Sequence, residues 1–302
     1  MDKTEVILST YNATKYLKVQ LDSILQQDYE NISLLIRDDG STDGTLEILE
    51  EYAQKYDNVR YYAGENLGAA GSFFDLMKNV SEDAKYIALS DQDDYWMPEK
   101  ISVAVRNIRS CENSHKNVGV LYCTNQLLVD ENLTPIDTTF SRAGLRPSFG
   151  NALVENICTG CTAVFNRKVL KAVVTHIPDY CIMHDFWLYL VASYIGKVIY
   201  DDTSYILYRQ HADNVLGERS SRIEELKHRI QCFKSRYNTL TMQNKEFVRL
   251  FEMKGKKGEL AKLVADYKEG TNRFKVATSS KVFRQRTADD IIFRILFLFG
   301  LR

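Results

Sequence analysis

Tyr86-Ile87-Ala88-Leu89-Ser90-Asp91-Gln92-Asp93-Asp94 is an apolar run that stops abruptly in a cluster of acids. Four apolar residues bounded by polar ones read as a buried strand, and the acids then stand at its carboxyl end. The pattern occurs twice earlier. Val6-Ile7-Leu8 runs into Ser9-Thr10-Tyr11-Asn12, and the strand predicted over 32–36 runs into Asp38-Asp39-Gly40-Ser41. Between them, Tyr16, Leu17, Leu21, Ile24 and Leu25 recur at helical spacing. Leu46, Ile48, Leu49 and Tyr52 do so behind Asp43, a suitable helix cap. A strand over 59–62 and a helix over 73–80 complete the alternation. Strands alternating with helices predict an α/β fold with a largely parallel sheet. Such sheets bind ligands beyond the carboxyl ends of their strands, so the three polar clusters are expected to converge.

Composition narrows the chemistry. The 302 residues are 45% hydrophobic and 26% charged, as in an ordinary globular protein, with 15 glycines and four prolines. Neither a secretory signal nor a run of ~20 apolar residues is apparent. Six unevenly spaced cysteines make no disulfide scaffold, which predicts a reducing cytoplasm. The net charge of −1 is unevenly spread. From Leu216 onward there are 20 basic and 10 acidic residues, against 19 and 30 before it. An acidic front half is a poor nucleic-acid surface but suits a cation. No Gly-x-Gly-x-x-Gly or P-loop follows any strand, which disfavours a dinucleotide enzyme or an ATPase. Clustered carboxylates are hard oxygen ligands and favour Mg²⁺ or Mn²⁺ as the phosphate-holding device.

An ordered set of motifs resembles glycosyltransferase family 2. The set begins with Leu8-Ser9-Thr10-Tyr11-Asn12, Asp38-Asp39-Gly40-Ser41-Thr42-Asp43, Glu65-Asn66-Leu67-Gly68 and Ser90-Asp91-Gln92-Asp93-Asp94. Trp96-Met97-Pro98-Glu99-Lys100, Thr159-Gly160-Cys161, His184-Asp185 and Tyr208-Arg209-Gln210-His211-Ala212-Asp213-Asn214 follow. The Asp-Gln-Asp-Asp-x-Trp and Gln-His-x-x-Asn forms are similar to those of bacterial rhamnosyltransferase-like members. The resemblance implies the GT-A fold, a Rossmann-like, mostly parallel mixed sheet flanked by helices. It covers roughly residues 3–217 and divides the chain into a catalytic domain over 1–217 and a basic helical extension over 218–302.

The resemblance also implies roles. Asp93 is the expected metal ligand. Asp91 faces the ribose or the metal's water shell, since alternate strand residues point the same way. His211 is a candidate third ligand for Mn²⁺ or Mg²⁺, and a plain surface or core histidine is the alternative. Thr10, Tyr11, Asp38, Asp39 and Asn66 are expected around the nucleoside and donor, with core packing or turn formation as the other readings. Asp185 is expected to be the general base; an acid of ordinary pKa ~4 is ionised at neutral pH and can take a hydroxyl proton late in attack. It also suits a helix N-cap. Gly160, His184, Trp96 and Trp187 fall on the acceptor side, Trp187 with core packing as its default. Cys158 and Cys161 form a lone C-x-x-C with no second pair for zinc. The Gln-x-x-Arg-Trp motif of processive members is absent, which points to addition of one sugar.

Toward the C-terminus, Ile223, Leu226, Ile230, Phe233, Tyr237, Leu240, Phe247 and Phe251 follow a heptad pattern with Asn244 at an a-type position. That predicts a homo-oligomeric coiled-coil seam over 223–251, or a helix docked on its own chain. Ile291, Ile292, Ile295, Leu296 and Phe299 lie among Lys281, Arg284, Arg286, Arg294 and Arg302. This amphipathic pattern suits peripheral contact with the inner face of the cell membrane, where lipid-linked acceptors reside, or burial against preceding helices. The sequence thus predicts an inverting, metal-dependent transferase. It would move a sugar, rhamnose from dTDP-rhamnose first and a hexose from a UDP-hexose second, onto a saccharide of a surface polysaccharide. A non-catalytic sugar-nucleotide scaffold and a nucleotidyltransferase are the rival classes.

Overall fold

The computed structural model describes residues 1–136, 143–210 and 238–299. Packing divides the chain into two compact units. The first comprises Met1–Leu145, Cys158–Thr175 and Met183–Ala212; the second comprises Arg146–Ile157, His176–Ile182 and Asp213–Arg302. The second unit thus takes in two short segments from well before residue 218, which no sequence pattern indicated.

The first unit is built on an eight-stranded sheet in the order β3-β2-β1-β4-β7-β6-β8-β5. Its first four strands are β1 (Thr4–Thr10), β2 (Ile32–Asp38), β3 (Val59–Ala63) and β4 (Tyr86–Ser90). All pair in parallel, with Leu8 opposite both Ile36 and Ser90. The rest of the sheet comprises β5 (Tyr95–Trp96), β6 (Gly119–Val129), β7 (Val164–Asn166) and β8 (Gly196–Arg209). β7 runs antiparallel to β4 and β6, which makes the sheet mixed. These later strands were missed in the sequence because β6 and β8 mix polar and apolar residues without a clean alternation.

Val6, Ile7 and Leu8 have no exposure, so β1 is covered on both faces and reads as a continuous apolar run. On one face Val6, Leu8, Leu34 and Ile36 pack with Leu17, Leu21 and Ile24 of α1 (Leu17–Leu25) and Leu49 of α2 (Thr45–Lys55). Ile101, Ala104 and Ile108 of α4 (Lys100–Ser114) join the same cluster. Alternate strand residues point the other way, toward α3 (Gly68–Lys78), which contacts β1, α6 (Arg167–Thr175) and α7 (His184–Ile195). Strand order reverses at β1, with β2 on one side and β4 on the other, so a crevice opens at their carboxyl ends. Thr10, Asp38 and Ser90 end these three strands.

The second unit is helical. It contains α5 (Phe149–Ala152), α8 over the described residues 238–250, α9 (Gly255–Ala265), α10 (Asn272–Thr278) and α11 (Thr287–Phe299). The described part of the heptad stripe is covered by its own chain. Leu240, Asn244, Phe247 and Phe251 are buried, Phe247 lies 6.0 Å from Phe149, and Phe251 stacks on His176 at 4.1 Å. Asn244 Nδ2 donates to the carbonyls of Leu153 and Leu240. Here the seam is intrachain docking, because a heptad stripe specifies a buried face but not whose surface buries it. Residues 223–237 of the pattern lie outside the described residues. Two of the basic residues near α11 are also committed internally, Arg294 to Asp290 and Arg284 to Glu155. No helix among the described residues is long and apolar enough to cross a membrane.

Candidate active site

The loops beyond β1, β2 and β4 are tied together by side chains on main chain. Asp38, fully buried, accepts from Thr10 Oγ1 at 2.9 Å, Ser41 Oγ at 2.6 Å and the Gly40 and Ser41 amides. Gly40 has φ +85°, a conformation that residues with a side chain rarely adopt, so the turn favours glycine. The structure moves Thr10 and Asp38 from ligand contact to scaffold: both are buried with their polar groups spent on one another. Asp39 pairs with buried Arg37 and accepts from Leu67 N, both on Oδ1. Its remaining oxygen is the one left to take a further donor. Asn66 is exposed beside this turn and accepts from Gly68 N at 3.1 Å. Tyr11 is 49% exposed, an unusual position for so large a ring, and is free to stack on a base.

At the end of β4, oxygens of Asp91 and Asp94 and Sγ of Cys161 lie within 4.8 Å of one another. Burial first, then the charges of Asp93 and Asp185, pushes Asp91 up to about 7. Burial followed by Asp91 and Asp93 raises Asp94 well above the carboxylate range. Four acids are therefore close enough to oppose one another's ionisation, the arrangement a cation relieves. Asp94 Oδ1 accepts the Arg209 amide, whereas its buried Oδ2 has no hydrogen-bond partner among the described residues. That orphaned oxygen beside Asp91 fits a hard divalent ion. Cys161 fits less well, because burial and the two acids keep its soft thiol protonated. The sequence placed Asp94 in the acid cluster without settling a role for it and read Cys161 as a small buried residue; three-dimensional proximity brings both to Asp91. His211 lies outside the described residues.

Lys100 was also without a role. Its ammonium is buried, lies 3.5 Å from the centre of the Trp96 ring and has no hydrogen-bond partner among the described residues. Burial pulls it down to about 7. Trp96 is 1% exposed and Trp187 fully buried, so neither offers a face for a sugar; both belong to the core. His184 is likewise removed from the acceptor side. It is buried, stacked 4.0 Å from Phe73, with neither ring nitrogen hydrogen-bonded among the described residues, and burial pulls it down to about 3.

Asp185 follows in the first turn of α7, where the helix dipole favours an anion. Its Oδ2 accepts from Gly160 N at 3.1 Å. A Cβ on Gly160 would come within 3.0 Å of His184 Nε2 and 3.5 Å of Asp185 Cβ, so glycine permits this approach.

Comparisons with known proteins bear on family and fold. The sequence profile described as glycosyl transferase family 2 matches residues 5–174. The dTDP-rhamnosyl transferase RfbG of Shigella flexneri is 32% identical over 261 residues, covering 80% of this chain and 81% of the relative. The putative teichuronic acid biosynthesis glycosyltransferase TuaG of Bacillus subtilis is 31% identical over 162 residues, 53% of this chain and 60% of its own. Among solved structures, Staphylococcus aureus TarS 1-349 in complex with UDP-GlcNAc superposes with TM-score 0.59 at 17% identity, over 90% of this chain and 73% of that one. The mannosyltransferase PcManGT of Pyrobaculum calidifontis in complex with GDP-Man and Mn²⁺ gives 0.56 at 16%, over 99% and 76%. At these identities the likeness is one of fold, and that fold is GT-A.

Proposed function

The chain belongs to glycosyltransferase family 2, and on that premise we propose that it transfers one sugar from a nucleoside diphosphate to an acceptor hydroxyl with inversion. The observation that carries this reading is the presence of Asp185 in one site with the acids at the end of β4, its carboxylate held by the Gly160 amide. Asp185 takes the proton of the acceptor hydroxyl as that oxygen attacks the anomeric carbon. The bond from that carbon to the diphosphate oxygen breaks in the same displacement. A single displacement from the opposite side inverts the configuration, and no enzymic nucleophile is needed.

Tyr11 stacks on the nucleobase, while Asp39 and Asn66 line the donor side. Asp91 and Asp94, with Asp93 beside them, would hold Mn²⁺ or Mg²⁺. Bound there, such an ion would supply Lewis-acid stabilisation of the charge developing on the departing diphosphate. The likeness to RfbG supports dTDP-rhamnose as the donor, and a UDP-hexose is the second choice. The likeness to TuaG supports an acceptor in surface-polymer synthesis.

A turnover assay across nucleotide sugars tests the reading, with the product's anomeric configuration read by NMR. Transfer from dTDP-rhamnose with inversion is expected. Retention of configuration, or nucleotide binding without turnover from any donor, overturns it; the latter outcome is that of a scaffold.

A further inference from the structure

α11 is apolar on two sides. Phe293, Leu296 and Phe297 are buried inside the second unit, where Phe297 lies 4.4 Å from Phe293 and 4.8 Å from Tyr267. On the other side Ile291, Ile295 and Phe299 stand 53%, 44% and 69% exposed. Steps of four residues place these three on one stripe, about 12 Å long at 1.5 Å per residue. Phe274 of α10, the helix packed against α11, is 56% exposed. Among the described residues it and Phe299 are the two phenylalanines so exposed. Large apolar side chains gathered in water mark a surface that something else covers.

Charge decides what that is. Residues 238–299 carry 13 Lys and Arg against seven Asp and Glu. Arg284 and Arg294 are held in internal ion pairs, whereas Lys268, Lys275 and Lys281 are exposed on and beside α10. A second copy meeting this segment through a two-fold axis would set one net positive segment against another. Three stripe residues also fall far short of the roughly 20–30 a side that a stable protein interface uses. An anionic bilayer offers both apolar depth and opposite charge.

We propose that α11 lies in the interface of an anionic membrane, with Ile291, Ile295 and Phe299 inserted at the headgroup–acyl boundary and the neighbouring lysines at the phosphates. The helix lies on the surface and does not span it. This inference stands apart from the transfer reading, because it rests on the second unit alone.

The test uses the full chain in co-sedimentation with vesicles of phosphatidylcholine and phosphatidylglycerol in equal parts, and of phosphatidylcholine alone. The wild type is expected to pellet with the anionic vesicles and to be released as salt rises. The combined substitution Ile291→Ser, Ile295→Ser and Phe299→Ser is expected to weaken partitioning at least ~10-fold, since each lost side chain forfeits apolar burial. All three side chains are exposed, so its thermal melt stays close to wild type. Transfer to a water-soluble acceptor, measured alongside, is expected to be unchanged, so the two readings can fail separately. Equal partitioning of variant and wild type overturns the proposal. So does a wild type that ignores anionic vesicles, or one that forms a dimer abolished by the same substitutions in light scattering.

Discussion

Gln92 holds the main chain of Tyr11 at both polar groups: its Oε1 accepts the Tyr11 amide at 2.7 Å and its Nε2 donates to the Tyr11 carbonyl at 3.2 Å. The clasp joins the loop bearing the exposed Tyr11 ring to the loop bearing Asp91 and Asp94. Gln92→Ala removes both bonds without touching either functional group. The expected result is a rise of about tenfold in KM for the donor with kcat within about twofold, the signature of lost ground-state positioning. Steady-state kinetics check it, and an unchanged KM would show the clasp to be incidental.

Gly160 faces the His184 ring at the start of α7. His184 stacks on Phe73, so a Cβ placed 3.0 Å from its ring nitrogen asks that ring, one residue before Asp185, to give by a few tenths of an ångström where it has little room. Gly160→Ala is expected to lower kcat about tenfold or more and to cost about 1–3 kcal/mol of stability from overpacking. Thermal melts and turnover on the same preparation check both effects.

The raised pKa of Asp91 makes stability depend on pH. The folded chain keeps a proton that the unfolded chain has released, so stability falls as pH rises from about 4 to about 7. A divalent cation takes the proton's place, so stabilisation by Mn²⁺ grows through the same window. Asp91→Asn is expected to flatten both trends relative to wild type in melts with EDTA or Mn²⁺. A variant that follows the wild-type slope would remove Asp91 from that titration.

Asn244→Leu tests the docked reading of α8. The substitution leaves the buried Leu153 carbonyl without the donor it has now, at a cost of about 1–3 kcal/mol. A lower melting temperature with no change in oligomeric state is expected; a change in mass by light scattering would return the stripe to self-association.

The parallel half of the sheet was legible because β1, β2 and β4 are buried on both faces and end in polar clusters, a pattern that length and punctuation alone reveal. Convergence of those clusters followed from the strand-end rule. β7 left no such mark. It is three residues long, and its antiparallel insertion depends on pairing with β4 and β6. Within the site, sequence motifs located the acids but not their partners. That Thr10 and Asp38 satisfy each other, or that His184 turns its ring onto Phe73, depends on side-chain burial that no one-dimensional spacing encodes. Cys161 and Asp94 are 67 positions apart, and only the fold makes them neighbours.

Asp185→Asn tests the central claim most directly. The amide keeps the shape of the carboxylate and can still accept from Gly160 N, but it cannot take a proton. The account predicts a loss of transfer of about 10²–10⁴-fold. Stabilisation by the nucleotide sugar in a thermal-shift assay on the same sample should be unchanged. Transfer within a few-fold of wild type, or loss of nucleotide-sugar binding together with activity, would contradict it.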